Sequence, residues 1–221
     1  ILQLDARDAE PLNHAYGTNG IITALSLSTA EAVDWQEVAI DCDDWESAVE
    51  LLISCSRAAI DLHLCTLVER RIVERLPPWS GQFSGMHRLL ILVASDGITT
   101  LQRLAIAVGA EFMSFGSESS RTGNGLRELT WNHTTLHLRS VDPSWTYLQM
   151  LLPQPELTAM KELKRDWGEN LLWHLEVVQM KGVKRLAALP LVRWKDKSSL
   201  ERLINQCIDI GAVVFNPHVI T

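Results

Sequence analysis

The stretch Leu129–Ser140, LTWNHTTLHLRS, places two histidines, His133 and His137, four residues apart in an alternating and partly apolar run. An imidazole titrates near neutral pH, so it can carry a proton, and when neutral it can ligate a metal. Read as extended chain from Trp131 to Arg139, the alternation sends His133, Thr135, His137 and Arg139 to one face and Asn132, Thr134, Leu136 and Leu138 to the other. Imidazoles would then face a ligand and aliphatic groups a core. Each histidine alone reads equally well as a half-exposed polar residue of a sheet. Glu128 and Asp142 lie close by, but no HExxH or closely spaced Cys/His set completes a metal site, and no metal is expected.

Other residues bear on chemistry less directly. His218 in FNPHVIT follows an apolar strand and Pro217, which can hold a loop against a pocket. Arg193 and Lys195 bracket Trp194, an arrangement that attracts a carboxylate or simply forms a solvated strand end. Trp79 and Trp131 flank turn-rich sequence and suit an aromatic ligand wall, whereas most of the eight tryptophans are expected in the core. The mixed charges of VERRIVER read as the surface of a short helix.

The elements that must position these residues follow from periodicity. A strand is expected over Trp35–Cys42, after a first one in NGIITALSLS. Asp43 and Glu46 then have capping-box spacing before a helix carrying Trp45, Ala48, Val49, Leu52 and Ile53. Strands at Ala59–Cys65 and HRLLILVAS, a helix with Leu101, Leu104, Ala105 and Val108, and a strand at Glu111–Phe115 complete a strand, helix, strand, strand, helix, strand order. After the polar loop GSESSRTGNG the order recurs: WTYLQMLLP, a helix from Pro155, LLWHLEVVQM and VKRLAALPLVRW around Lys181 and Gly182, a helix capped at Ser198, and GAVVF. The fold class is therefore α+β: duplicated ferredoxin-like units, antiparallel sheets with helices packed on one face. A doubly wound parallel sheet is the rival, and its GxGxxG fingerprint is missing.

With 221 residues and 47% apolar content the chain can bury a large core. A net charge of -7 disfavours wrapping around nucleic acid. Four cysteines without CxxC spacing point to buried, reduced thiols and a cytosolic compartment. No apolar run has the length of a membrane span. The abrupt ends, ILQLDARDAEP and GAVVFNPHVIT, suggest a piece of a longer protein.

In YGTNGIITALSLS, LTWNHTTLHLRSVDPSWTYLQM and GAVVFNPHVIT the chain resembles FAD-linked oxidases and dehydrogenases of the vanillyl-alcohol-oxidase type, especially relatives of glycolate oxidase and D-lactate dehydrogenase. The resemblance implies that residues 1–33 end a flavin-binding domain and that 34–221 form the cap, or substrate, domain, truncated at its C-terminal end. It implies a cap-side polar cluster of Asn132, His133 and His137 with His218 as a second contribution, and Trp131 and Arg193 on the substrate. Tyr16, Gly17, Thr18, Asn19, Gly20 and Ile21 become the cofactor-side residues, since backbone at glycine approaches a planar ring closely. The implied activity is oxidation of a small hydroxy acid or alcohol by hydride transfer to flavin. FAD would belong to the complete protein and be absent from an inactive isolated piece, whose partner is the remainder of the flavin-binding domain. The GDGNLH element of many glycolate-oxidase-like members is not matched by WNHTTLH, so their metal does not carry over. The competing reading is a non-enzymatic small-ligand-binding or regulatory module of ferredoxin-like units.

Overall fold

A computed structural model describes residues 2–12, 17–77, 85–120 and 125–215. They fall into two units, one drawn from 1–32 and 215–221 and the other spanning 33–214. In the first unit Asp5 accepts the backbone N–H groups of Arg7 and Asp8, and a short 3-10 turn covers Glu10–Leu12. The strand expected in NGIITALSLS is not formed: residues 20–34 take no regular structure, and Ile21, Ile22, Leu25 and Leu27 are exposed. A strand requires a hydrogen-bonded neighbour, and among the described residues this segment has none.

The second unit begins with β1 (Trp35–Cys42), α1 (Trp45–Arg57), β2 (Leu62–Val68), a single turn α2 (Arg70–Val73), β3 (His87–Ala94), α3 (Ile98–Ala107) and β4 (Glu111–Ser117). A connector follows, with a 3-10 turn at Leu126–Leu129, α4 (Asn132–Val141) and β5 (Trp145–Tyr147). Then come β6 (Met150–Leu151), α5 (Glu156–Trp167), β7 (Leu171–Leu172), β8 (His174–Met180), β9 (Val183–Ala188), β10 (Leu191–Arg193), α6 (Lys197–Asp209) and β11 (Val213–Val214). Among the described residues eight strands form one sheet in the order β11-β6-β9-β8-β2-β3-β1-β4, and three short ones form a second, β5-β10-β7. Every pairing in both is antiparallel. The halves meet where Thr66, Leu67 and Val68 of β2 pair with Glu176, Leu175 and His174 of β8.

The central strands read as nearly continuous apolar runs because both faces of the sheet are covered. On one face α1, α3, α5 and α6 pack Val49, Leu52, Leu101, Met160, Leu163 and Leu203 against Val38, Ile40, Leu89 and Ile91. On the other, Ala39, Leu90 and Leu92 meet Leu126 and Leu129 of the connector, Leu138 of α4 and Trp145 of β5. The sequence expectation placed helices on one face; the connector helix and the small sheet lie on the opposite one. Helix starts are set by aspartates one or two positions from those expected. Asp44, not Asp43, accepts the Ser47 N–H at α1, and Asp196, not Ser198, accepts the Ser199 N–H at α6. The four cysteines are free and buried.

A larger correction concerns Trp131–Arg139, where Trp131 is a turn residue and Asn132 onward is helix α4 rather than extended chain. Its buried residues, Thr134, Thr135 and Leu138, fit helical spacing, whereas Leu136 is exposed. Polar and β-branched residues give this stretch weak local preference, so tertiary contact decides it. His133 and His137 still share a face, now because residues four apart stack along a helix.

Candidate functional site

The connector between the two halves is tied to the sheet by two buried carboxylates. Glu37 of β1 is fully buried and accepts the Leu126 N–H at 2.6 Å. Glu176 of β8 accepts the Trp131 N–H at 3.0 Å through Oε1. A buried carboxylate is tolerated only when its lone pairs are satisfied. Glu176 meets that condition: Thr66, its direct cross-strand partner, donates its hydroxyl to Oε2, and His174 Nε2 lies 2.7 Å from Oε1. The 3-10 turn at Leu126–Leu129 and the start of α4 are thereby held at both ends.

That tether fixes where the candidate residues stand. Trp131 precedes α4 with φ 51° and ψ -140°, a conformation that favours glycine, and its indole is 49% exposed. His133 Nδ1 lies 3.1 Å from Glu128 Oε2, and His137 Nε2 donates to the Glu128 carbonyl at 2.9 Å. Both imidazoles are thus oriented by one residue of the connector, His133 through Nδ1 and His137 through Nε2. Asn132 begins the helix beside them. Trp131, Asn132, His133 and His137 are therefore brought together by α4.

A second polar group lies at the other end of the connector. Arg127 forms a two-pronged pair with Glu118, with Nη2 to Oε2 at 2.9 Å, and its Nη1 also bonds His63 Nε2. The Trp35 ring stacks against His63 at 5.2 Å. Burial, and then the adjacent guanidinium, hold the His63 imidazole below its usual range, with Glu118 opposing. Since Nε2 accepts from Arg127, the proton of neutral His63 sits on Nδ1, making that atom a hydrogen-bond donor.

Arg193 stands apart from this cluster. It donates to Asp142 Oδ2 and Ser144 Oγ, each at 3.2 Å, and its guanidinium lies 4.5 Å from the centre of the Trp145 ring. Ser144, through its hydroxyl and amide, holds the Asp142 carboxyl below its usual range, and Arg193 adds to this. Asp142 caps the far end of α4, so Arg193 and Trp131 are separated by the helix, about 15 Å at 1.5 Å per residue. Arg193 instead lines a shallow hollow with Trp167, Trp194, Lys195 and Ser199.

On the proposed cofactor side, Gly17 has φ 73° and a Cβ built there meets nothing within 4 Å. Gly20 is nearly as open, with only Leu12 at 3.9 Å. Asn19 donates to the Pro11 carbonyl at 2.8 Å, Thr18 Oγ1 lies 3.3 Å from Asn19 Oδ1, and Ile21 is 92% exposed. The turn offers an open backbone edge rather than a cradle. Tyr16, His218 and Trp79 lie outside the described residues. Among the described residues no group of three or more His, Cys, Asp or Glu side chains is arranged to hold a metal ion, and no helix is long and apolar enough to cross a membrane.

Sequence reasoning missed Glu37, His63, Glu118, Arg127, His174 and Glu176. The available signal was a charged or imidazole residue set within an otherwise apolar strand: Glu37 in WQEVAIDC, His174 and Glu176 in LLWHLEVVQM. Such a residue is retained only when it has a partner.

No family model and no curated protein matches the sequence. A solved structure of an alkyldihydroxyacetonephosphate synthase is similar in fold, with a TM-score of 0.57 and 11% identity over 82% of this chain and 40% of that one. The chain thus spans less than half the length of that relative. This is a distant structural similarity, and it extends to the α+β architecture of a large antiparallel sheet with peripheral helices.

Proposed function

We propose that this chain is the cap portion of an FAD-dependent oxidoreductase that oxidises a small hydroxy acid or alcohol. The reading rests on the fold likeness to an alkyldihydroxyacetonephosphate synthase across most of the chain. The strand order adds support, because each half of the large sheet reads fourth, first, third, second from its outer edge inward. That is the order of a ferredoxin-like unit, which supports reading the sheet as two such units joined at β2 and β8.

Gly17 and Gly20 leave backbone open enough to meet a flat ring, which supports the cofactor-side reading of this turn. When bound elsewhere in the polypeptide, the flavin supplies a hydride acceptor. The work of this chain is then to orient and to move a proton. His133, steadied by Glu128, takes the hydroxyl proton at Nε2. His137 holds the Glu128 backbone that positions it, and Trp131, half exposed at the start of α4, offers an apolar surface to the substrate. Asn132 and, outside the described residues, His218 are the remaining polar candidates, with Tyr16, Gly17, Thr18, Asn19, Gly20 and Ile21 on the cofactor side.

The test is anaerobic titration of the purified flavin-bearing polypeptide with a panel of hydroxy acids and alcohols. Bleaching of the oxidised flavin by a member of the panel, slowed in His133→Ala with unchanged thermal stability, is the expected result. A polypeptide that carries no flavin sequence would end the reading and favour the ligand-binding module.

A further inference from the structure

Resting on the ligand-facing reading of Trp131 and His133, we propose that Glu176 is a positioning residue for that surface, acting through the backbone of Trp131. Four observations carry it. Glu176 is 1% exposed, in the middle of the large sheet, at the pairing that joins its two halves. Its carboxylate gathers contacts from three separate elements: the Thr66 hydroxyl from β2, His174 Nε2 from β8, and the Trp131 N–H from the connector. Trp131 is held at φ 51°, which L residues rarely adopt without constraint from their surroundings. Its side chain nevertheless stands half exposed, so burial of the indole is a weak reason for the strained backbone.

The geometry explains how the arrangement works. An acidic side chain at the start of a helix is stabilised by the backbone N–H groups there and by the helix dipole. Here the acid comes from the sheet, so the same bond that satisfies Glu176 also fixes the entry of α4. His174 has 0% exposure, and its Nδ1 has no hydrogen-bond partner among the described residues. The ring therefore spends its bonding capacity on the Glu176 carboxylate and keeps that carboxylate turned toward Trp131. Two residues along the helix-start path lies His133, whose N–H bonds the Thr130 carbonyl. A shift at Trp131 is transmitted directly to it.

Glu176→Gln keeps the shape but removes the charge: Oε1 still meets Trp131 and His174, now as a neutral and weaker acceptor, and the NH2 group in place of Oε2 turns the Thr66 hydroxyl from donor to acceptor. Amide exchange measured on the intact chain should speed up about tenfold or more across Trp131–Thr135, while β1 and β3 keep their protection. The Trp131 indole and His133 imidazole resonances should move with it. In a double-mutant cycle with Trp131→Gly, the effect of Glu176→Gln on Trp131–Thr135 exchange should shrink, because glycine adopts the conformation without the anchor. Unchanged exchange and resonances near Trp131, uniform loss of protection through the sheet, or strict additivity in the cycle would each overturn the assignment. If Glu176→Gln does not fold, exchange of the Trp131 amide in the native chain decides: protection comparable to β8 amides supports the anchor, and exchange at the rate of a free surface amide refutes it. None of these readouts uses flavin, so failure of the anchor is distinguishable from failure of the cap reading.

Discussion

Comparing Trp131→Ala with Trp131→Gly isolates the backbone strain on which the connector depends. Both substitutions remove the same indole, which is 49% exposed, so each loses roughly 100 Å² of burial worth about 2.5 kcal/mol. That loss cancels in the comparison. Alanine keeps a Cβ at φ 51° and ψ -140° and therefore retains a strain of about 1–3 kcal/mol. Glycine loses the strain but orders a more flexible unfolded chain, at about 0.5–1 kcal/mol. The glycine variant should thus be the more stable by about 1 kcal/mol, whereas at an ordinary position alanine leads by about that amount. In urea, with an m-value of about 2 kcal/mol/M, the midpoints should differ by about 0.5 M with glycine higher. An alanine midpoint equal to or above that of glycine would show that Trp131 sits without strain, and the case for a held connector would fail with it.

Other consequences concern the buried groups. Burial, followed by the Arg70 guanidinium, lowers His87 from its ordinary 6.5 to about 4, so the native ring stays neutral where the unfolded one takes a proton. Stability should therefore fall as pH drops from about 6.5 to about 4, by up to about 3 kcal/mol, and His87→Gln should flatten that part of a denaturation-midpoint profile. Burial also pushes the thiols of Cys42 and Cys207 up to about 11 and that of Cys55 up to about 12. Native protein at pH 8 should consume almost no thiol reagent, and urea-unfolded protein should consume four equivalents; rapid native labelling would contradict the packing.

The large sheet was legible because its strands carry their own signal. Trp35–Cys42 and the run from His87 are apolar at strand length, and the helices after them show apolar residues at helical spacing. The pairing of His133 with His137 was also legible, though for the wrong reason: a separation of four places residues on one face in a helix and in a strand alike. What failed was the conformation between them. NHTTLHLR alternates well enough for a strand, and the helix is decided by Thr134, Thr135 and Leu138 meeting a sheet face that local sequence cannot reveal. NGIITALSLS failed in the opposite sense, since strand-forming residues make no strand where the described structure supplies no neighbour.

Sequence alone determined the alternation of strands and helices, the apolar core and the thiols within it, because periodicity and transfer from water are properties of short stretches. Only the tertiary structure decided that Thr66 and Glu176, separated by 110 positions, face each other and hold Trp131, and that Arg193 stands at the far end of α4 from His133. The reason is that a buried carboxylate is defined by its partners: His174 is a near neighbour on the same strand, but Thr66 reaches Glu176 only through sheet pairing and Trp131 only through the packing of the connector.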